Sequence, residues 1–114
     1  MRHSHRVVVV TVALAGVLLG SLAHASAVTV VKGYAESWRP RRVEIARGAT
    51  VKWRSIVDDH NVTAYRGDWN FARTVLEGDS IRRTFTRRGR YKYFCTWHAT
   101  LDGRDCSGMC GIVT

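Results

Sequence analysis

Through much of this chain apolar and polar residues alternate with a period of two, which is typical of β-strands with one buried face. Val43 and Ile45 form one such run, Val51 and Trp53 form the next, and Gly48 lies between them. Two short alternating runs joined through a glycine indicate antiparallel β structure. The pattern therefore predicts β structure.

Other positions punctuate the predicted strands. The β-branched stretch from Ala27 to Val31 predicts a first strand, and Pro40 predicts a sheet edge or a turn, because proline has no N–H to donate. Arg83 interrupts an apolar strand face, which predicts a place near an exposed edge. Gly89 predicts a hairpin turn into a strand running from Tyr91 to Cys95. No linker or internal repeat divides the chain.

The first 25 residues have the layout of a secretory signal peptide. The start from Met1 to Arg6 is basic, Val7 to Leu19 is almost wholly apolar, and small residues follow at Ala25 and Ala27. An uncleaved anchor is the alternative, but the apolar stretch is shorter than the ~20 residues of a spanning helix. We therefore predict cleavage after residue 25 or 27, with residues 26–114 forming one domain.

The candidate chemistry lies near the C-terminus. The strand from Tyr91 is predicted to deliver Cys95 into a loop that also carries His98 and Met109. His60 precedes another alternating run, and after removal of the leader the chain retains two histidines and one methionine. Two imidazoles, a thiolate and a distant thioether form the donor set that suits copper cycling between Cu(I) and Cu(II).

The same residues carry a family resemblance. Short motifs follow one another in a characteristic order from about Val28 to Val113. Taken together, they make the chain resemble the small blue-copper proteins of the plastocyanin and amicyanin group. These motifs are Trp38-Arg39-Pro40, Gly48-Ala49-Thr50-Val51-Lys52-Trp53, His60-Asn61-Val62, Gly89-Arg90-Tyr91 and Cys95-x-x-His98 followed by Met109.

The resemblance implies an all-β, Greek-key sandwich of the cupredoxin type. It implies one type 1 copper ion bound by His60, Cys95, His98 and Met109, and transfer of single electrons between redox partners rather than catalysis. The chain departs from the family in one respect. Ten residues separate His98 from Met109, and the proline often found after the histidine is absent.

Two further expectations depend on that ligand set. If Cys95 binds metal, Cys106 and Cys110 remain as a pair in an oxidising compartment, which predicts a disulfide that restrains Met109. Asn61 directly follows the first ligand. We expect its amide to hydrogen-bond to the other ligand segment and to hold the two segments together.

Two other functions use overlapping residues. A structural zinc module could use the spacing of Cys95, His98, Cys106 and Cys110. That interpretation gives His60 and Met109 no role. A copper carrier or storage protein would use the same four ligands as an electron shuttle.

The charge balance bears on partners. The whole chain has a formal net charge of +9, and without Arg2 and Arg6 of the leader it retains +7. Such a surface favours an acidic redox protein, whereas nucleic acid is not an expected partner of an exported chain. We predict a monomer that is extracellular, periplasmic or held in the cell envelope. The partner is expected to dock where Trp97 and Leu101 flank His98.

Overall fold

The computed structural model describes residue 4, residues 27–67 and residues 69–114. This part of the chain contains nine strands and no helix, so the all-β prediction is confirmed. No helix long and apolar enough to cross a membrane is found among these residues. The predicted signal peptide, apart from Ser4, lies outside them.

One layer of the fold is a four-stranded mixed sheet in the order β2-β1-β4-β7. β1 runs parallel to β4 and antiparallel to β2, and β4 runs antiparallel to β7. Arg83 lies on the edge strand β7, as predicted. The strands are β1 (Val28–Gly33), β2 (Trp38–Arg39), β4 (Thr50–Ser55) and β7 (Ser80–Thr84).

The second layer is a five-stranded sheet in the order β3-β9-β8-β5-β6. β3 runs parallel to β9, and the other neighbours are antiparallel. Pro40 lies between two edge strands, β2 of the first sheet and β3 of the second. The strands are β3 (Arg42–Val43), β5 (His60–Arg66), β6 (Ala72–Val75), β8 (Tyr91–Asp102) and β9 (Asp105–Val113).

Aromatic residues fill the core. Trp53 and Tyr93 are fully buried, Trp38 nearly so, and they pack edge to face: Tyr93 has ring-centroid distances of 5.8 Å to Trp38 and 5.3 Å to Trp53. Trp38 and Trp53 come from the four-stranded sheet and Tyr93 from β8, so the rings join the two layers. Large buried rings of this kind dominate the hydrophobic stabilisation of a small core.

The hairpin expected at Gly89 is wrong, because β7 pairs with β4 in one sheet whereas β8 pairs with β5 and β9 in the other. The two runs on either side of Gly48 also lie in different sheets. β3 ends at Val43 and pairs with β9, whereas β4 belongs to the other sheet and pairs with β1 and β7. The segment between them crosses from one layer to the other. Alternation identified which residues are buried, but it does not identify the pairing partner, because either sheet offers the same apolar interior.

β8 also continues beyond the predicted end at Cys95. It reaches Asp102, turns through Gly103 and Arg104, and returns as β9. We call residues 99–108 the hairpin arm. Cys95 to His98 form a bulge between the paired residues Phe94 and Ala99. The predicted ligand loop is therefore a bulge followed by a paired hairpin.

The hairpin arm folds back toward the outer face of the five-stranded sheet. The Cα atoms of Cys106 and Cys110 are 6.2 Å apart, whereas four residues of straight strand span about 13 Å. β9 therefore bends sharply, and Gly108, with φ at +92°, lies within the bend. At the arm's tip, Arg66 Nη2 donates to the Gly103 carbonyl oxygen at 3.5 Å.

Candidate metal centre

Two neighbouring strands bring three donor side chains together. His60 begins β5, and Cys95 and His98 lie in the bulge of the adjacent strand β8. Cys95 Sγ is 3.8 Å from His60 Nδ1 and 3.5 Å from His98 Nδ1, and the two Nδ1 atoms are 3.2 Å apart. All three donor atoms thus face one point between the strands, within 4.8 Å of one another.

The backbone sets the tautomer of His60. Its Nε2 lies 2.6 Å from the Val57 carbonyl oxygen. A carbonyl can only accept, so Nε2 carries the hydrogen and Nδ1 presents its lone pair toward Cys95 and His98. A hydrogen bond that orients the ring in this way is typical of metal-binding histidines.

Met109 lies on β9 between Gly108, which pairs with Ala99, and Cys110, which pairs with Phe94. It is therefore the β9 residue opposite the four-residue bulge. Its side chain is fully buried and belongs to the same core cluster as Cys95. The structure thus places the fourth predicted ligand on the strand that faces the other C-terminal donors.

The donor set fits a single type 1 copper ion. His60 and Cys95 are fully buried, with a thiol and two imidazole nitrogens facing one another and no carboxylate in the cluster. Hard cations prefer oxygen ligands, whereas thiolate with imidazole suits copper.

The zinc alternative loses two of its four ligands. Cys106 and Cys110 form a disulfide with an S–S distance of 1.98 Å, which confirms the predicted pairing. A bridged pair offers no thiolate to a metal ion. Cys95 is the one free cysteine of the chain.

Asn61 joins the two ligand-bearing strands. Its Nδ2 donates to Thr96 Oγ1 at 2.8 Å, and its Oδ1 accepts from the Thr96 backbone N–H at 3.2 Å. The Thr63 hydroxyl also donates to Oδ1, at 2.6 Å. The amide therefore joins β5 to the bulge between Cys95 and His98. The hydrogen bond from Thr63 fixes the orientation of the amide.

The overall shape has known counterparts. No protein-family model matches the chain, and no curated protein sequence does so either. Amicyanin from Paracoccus versutus (Thiobacillus versutus) is 25% identical, with a TM-score of 0.56, over 83% of this chain and 87% of that one. A purple cupredoxin from Nitrosopumilus maritimus is 22% identical, with a TM-score of 0.58, over 75% and 97%. The chain has the cupredoxin fold.

The cupredoxin fold of this chain also matches part of a larger protein. A copper-containing nitrite reductase from Thermus scotoductus SA-01 is 24% identical, with a TM-score of 0.63. The match covers 76% of this chain but 22% of that enzyme, so this cupredoxin chain corresponds to about one fifth of the enzyme's length.

Two contacts of the site were not predicted. Trp38 packs edge-on against His60 with 5.6 Å between ring centroids, and Gly33 leaves room for both rings, since a Cβ there would lie 2.8 Å from Trp38. The hydrogen bond from His60 to Val57 was also missed. Neither has a local sequence signal, because each joins residues through the fold rather than through a spacing.

We expect Asn61→Ala to lower the free energy of unfolding of the metal-free protein by about 2 kcal/mol, because the three hydrogen bonds of the buried amide to Thr63 and Thr96 are lost. Copper affinity should fall by about 10- to 100-fold, as when groups that orient metal ligands are removed. Urea unfolding and competition with a Cu(I) chelator measure the two effects. Asn70→Ala, at an exposed asparagine, is the control. Equal losses in the two variants would contradict a bridging role for Asn61.

Proposed function

We propose that this chain is an exported type 1 copper protein that carries single electrons between redox proteins and is not an enzyme. Copper is held by His60, Cys95, His98 and Met109. The observation that carries the proposal is the convergence of two Nδ1 atoms and one Sγ atom within 4.8 Å in a buried site.

The protein's part in electron transfer is to hold one donor arrangement in both oxidation states. Copper bound there supplies a one-electron couple. The strand pairing of β5 with β8 and of β8 with β9 positions His60, Cys95 and Met109, and all three are fully buried. Because these ligands are buried and rigidly held, the site rearranges less when the copper ion gains or loses an electron.

His98 is the route for the electron to the surface. It is half-buried, whereas the other three proposed ligands have no exposed surface. Trp97, at 57% exposure, and Leu101, at 38%, lie near it in the chain. An apolar surface around a ligand edge lets a partner approach closely and exclude water, so we propose this face as the docking site.

Charge and covalent structure support the rest of the proposal. The net charge of +7 that remains without Arg2 and Arg6 of the leader favours a partner with an acidic docking surface. The Cys106–Cys110 disulfide and the apolar leader both support export to an oxidising compartment.

The test is titration of the metal-free mature protein with Cu(II). We expect one equivalent to bind and to produce an intense visible band that disappears on reduction and returns on oxidation. The band arises because a thiolate donates charge to Cu(II). His60→Ala should weaken copper binding severely, although His60 lies outside the zinc-like string. Tight zinc binding that survives His60→Ala, without a coloured copper form, would overturn the proposal.

A further inference from the structure

A second cavity lies away from the metal centre, between the hairpin arm and the outer face of the five-stranded sheet. Its volume is about 530 Å³, within the range of small-molecule sites. Cys110, Gly111 and Ile112 of β9 line it, as do Arg104 and Cys106 of the β8–β9 hairpin. None of the proposed copper ligands does. We call this cavity the arm cleft.

Positive charge converges on the arm cleft. Asp105 is the only acidic residue among those that line it, against five cationic ones. These come from separate parts of the chain, so folding rather than a local run of sequence collects them. Like charges gathered around one cavity repel one another, and a bound anion relieves that repulsion. The cationic residues are Arg41, Arg42, Arg90, Lys92 and Arg104.

Tyr65 adds a neutral hydrogen-bond donor to the arm cleft. Burial raises the pKa of its phenol, while the positive charges of Arg41 and Arg66 lower it and Asp105 raises it again. The phenol therefore stays protonated at neutral pH, among guanidinium groups.

The arm cleft is held in shape without a ligand. The Cys106–Cys110 bridge ties the arm to the remaining part of β9, and the Arg66 side chain reaches the Gly103 carbonyl at the tip. Preorganisation of this kind lowers the entropy lost when a ligand binds.

We propose that the arm cleft is a binding site for a small, multiply charged oxyanion of the oligophosphate class. Guanidinium groups donate two parallel hydrogen bonds to phosphate oxygens, and several of them can engage adjacent phosphates. The cleft is larger than one phosphate needs, and its walls come from two sides, which favours a compact free anion over a flat charged surface. The site goes beyond the copper function and does not depend on it.

Calorimetric titration of the disulfide-intact mature protein with inorganic pyrophosphate at low ionic strength tests the proposal. We expect saturable binding of one equivalent, and weaker binding of orthophosphate. The double variant Arg90→Gln/Arg104→Gln should bind pyrophosphate at least about tenfold more weakly, because hydrogen bonds to charged groups are lost.

The matched control is Arg54→Gln/Arg82→Gln, which removes the same charge from exposed positions on the four-stranded sheet. It should keep affinity within about twofold, and both double variants should keep the wild-type circular dichroism. Equal weakening in the two variants, or no saturable binding to the wild type, would overturn the proposal. So would binding to vesicles containing anionic phospholipid that depends on Arg90 and Arg104 while pyrophosphate does not bind.

Discussion

Replacing Cys95 with serine abolishes the intense visible band of the copper-loaded protein. The chain has three cysteines, and the other two are bonded to each other. No other group can supply a thiolate to Cu(II), and a serine hydroxyl stays protonated at neutral pH. The measurement is the visible absorption of variant and wild type, at equal protein concentration, after addition of one equivalent of Cu(II).

The control for Cys95→Ser is the double variant Cys106→Ser/Cys110→Ser. It also removes cysteine sulfur from the C-terminal hairpin, but it leaves Cys95 available, so the band should persist. Circular dichroism should show that both proteins fold. A band of wild-type intensity in Cys95→Ser would show that Cys95 is not the ligand.

Replacing Gly108 with alanine should lower the free energy of unfolding by about 3 kcal/mol and disturb the copper spectrum. Gly108 has φ at +92°, which L-residues rarely adopt, and a Cβ there would overlap the His98 carbonyl oxygen. Because that contact is with backbone, the bulge must move to relieve it, at a further cost typical of overpacking. Urea unfolding and the visible spectrum report the two effects.

The variant Gly103→Ala separates the effect of the close contact at Gly108 from the effect of the positive φ angle. Gly103 lies in the same hairpin with φ at +58°, and nothing lies within 4 Å of a Cβ built there. We expect a loss of roughly 1–2 kcal/mol, from the left-handed conformation alone, and an unchanged spectrum. If the two glycine variants lose equal stability, close approach to His98 is not the constraint on Gly108.

The donor residues could be predicted because few side chains in the chain offer copper a sulfur or imidazole donor. After the leader, the chain has two histidines, His60 and His98, and one methionine, Met109. The odd number of cysteines indicated that two pair with each other and that Cys95 is left for the metal ion. The structure brings the predicted His60, Cys95 and His98 donors together. The hydrogen bond from His60 to Val57 and the packing of Trp38 on His60 arise from tertiary structure, which residue spacing does not encode.

The hairpin arm is the main feature that was missed. Residues 99–102 do alternate apolar and polar side chains, but Leu101 is exposed, so the alternation marks no buried face. The returning residues 105–108 carry no such pattern. A local signal was nevertheless present: Gly103 and Arg104 form a two-residue connection between Asp102 and Asp105, with glycine first, as in a common tight turn. The fold-back that creates the arm cleft could not be predicted, since it depends on the bend at Gly108.

The parallel pairing of β3 with β9 constrains the order of events during synthesis. Arg42 pairs with Ile112, so β3 waits for a partner made some 70 residues later, or on the order of several seconds of translation. His60 likewise precedes Cys95 by 35 residues. Of the proposed copper ligands, a growing chain therefore offers a metal ion only His60 until β8 and β9 emerge. The compartment in which those strands dock decides which metal ion the completed site meets first.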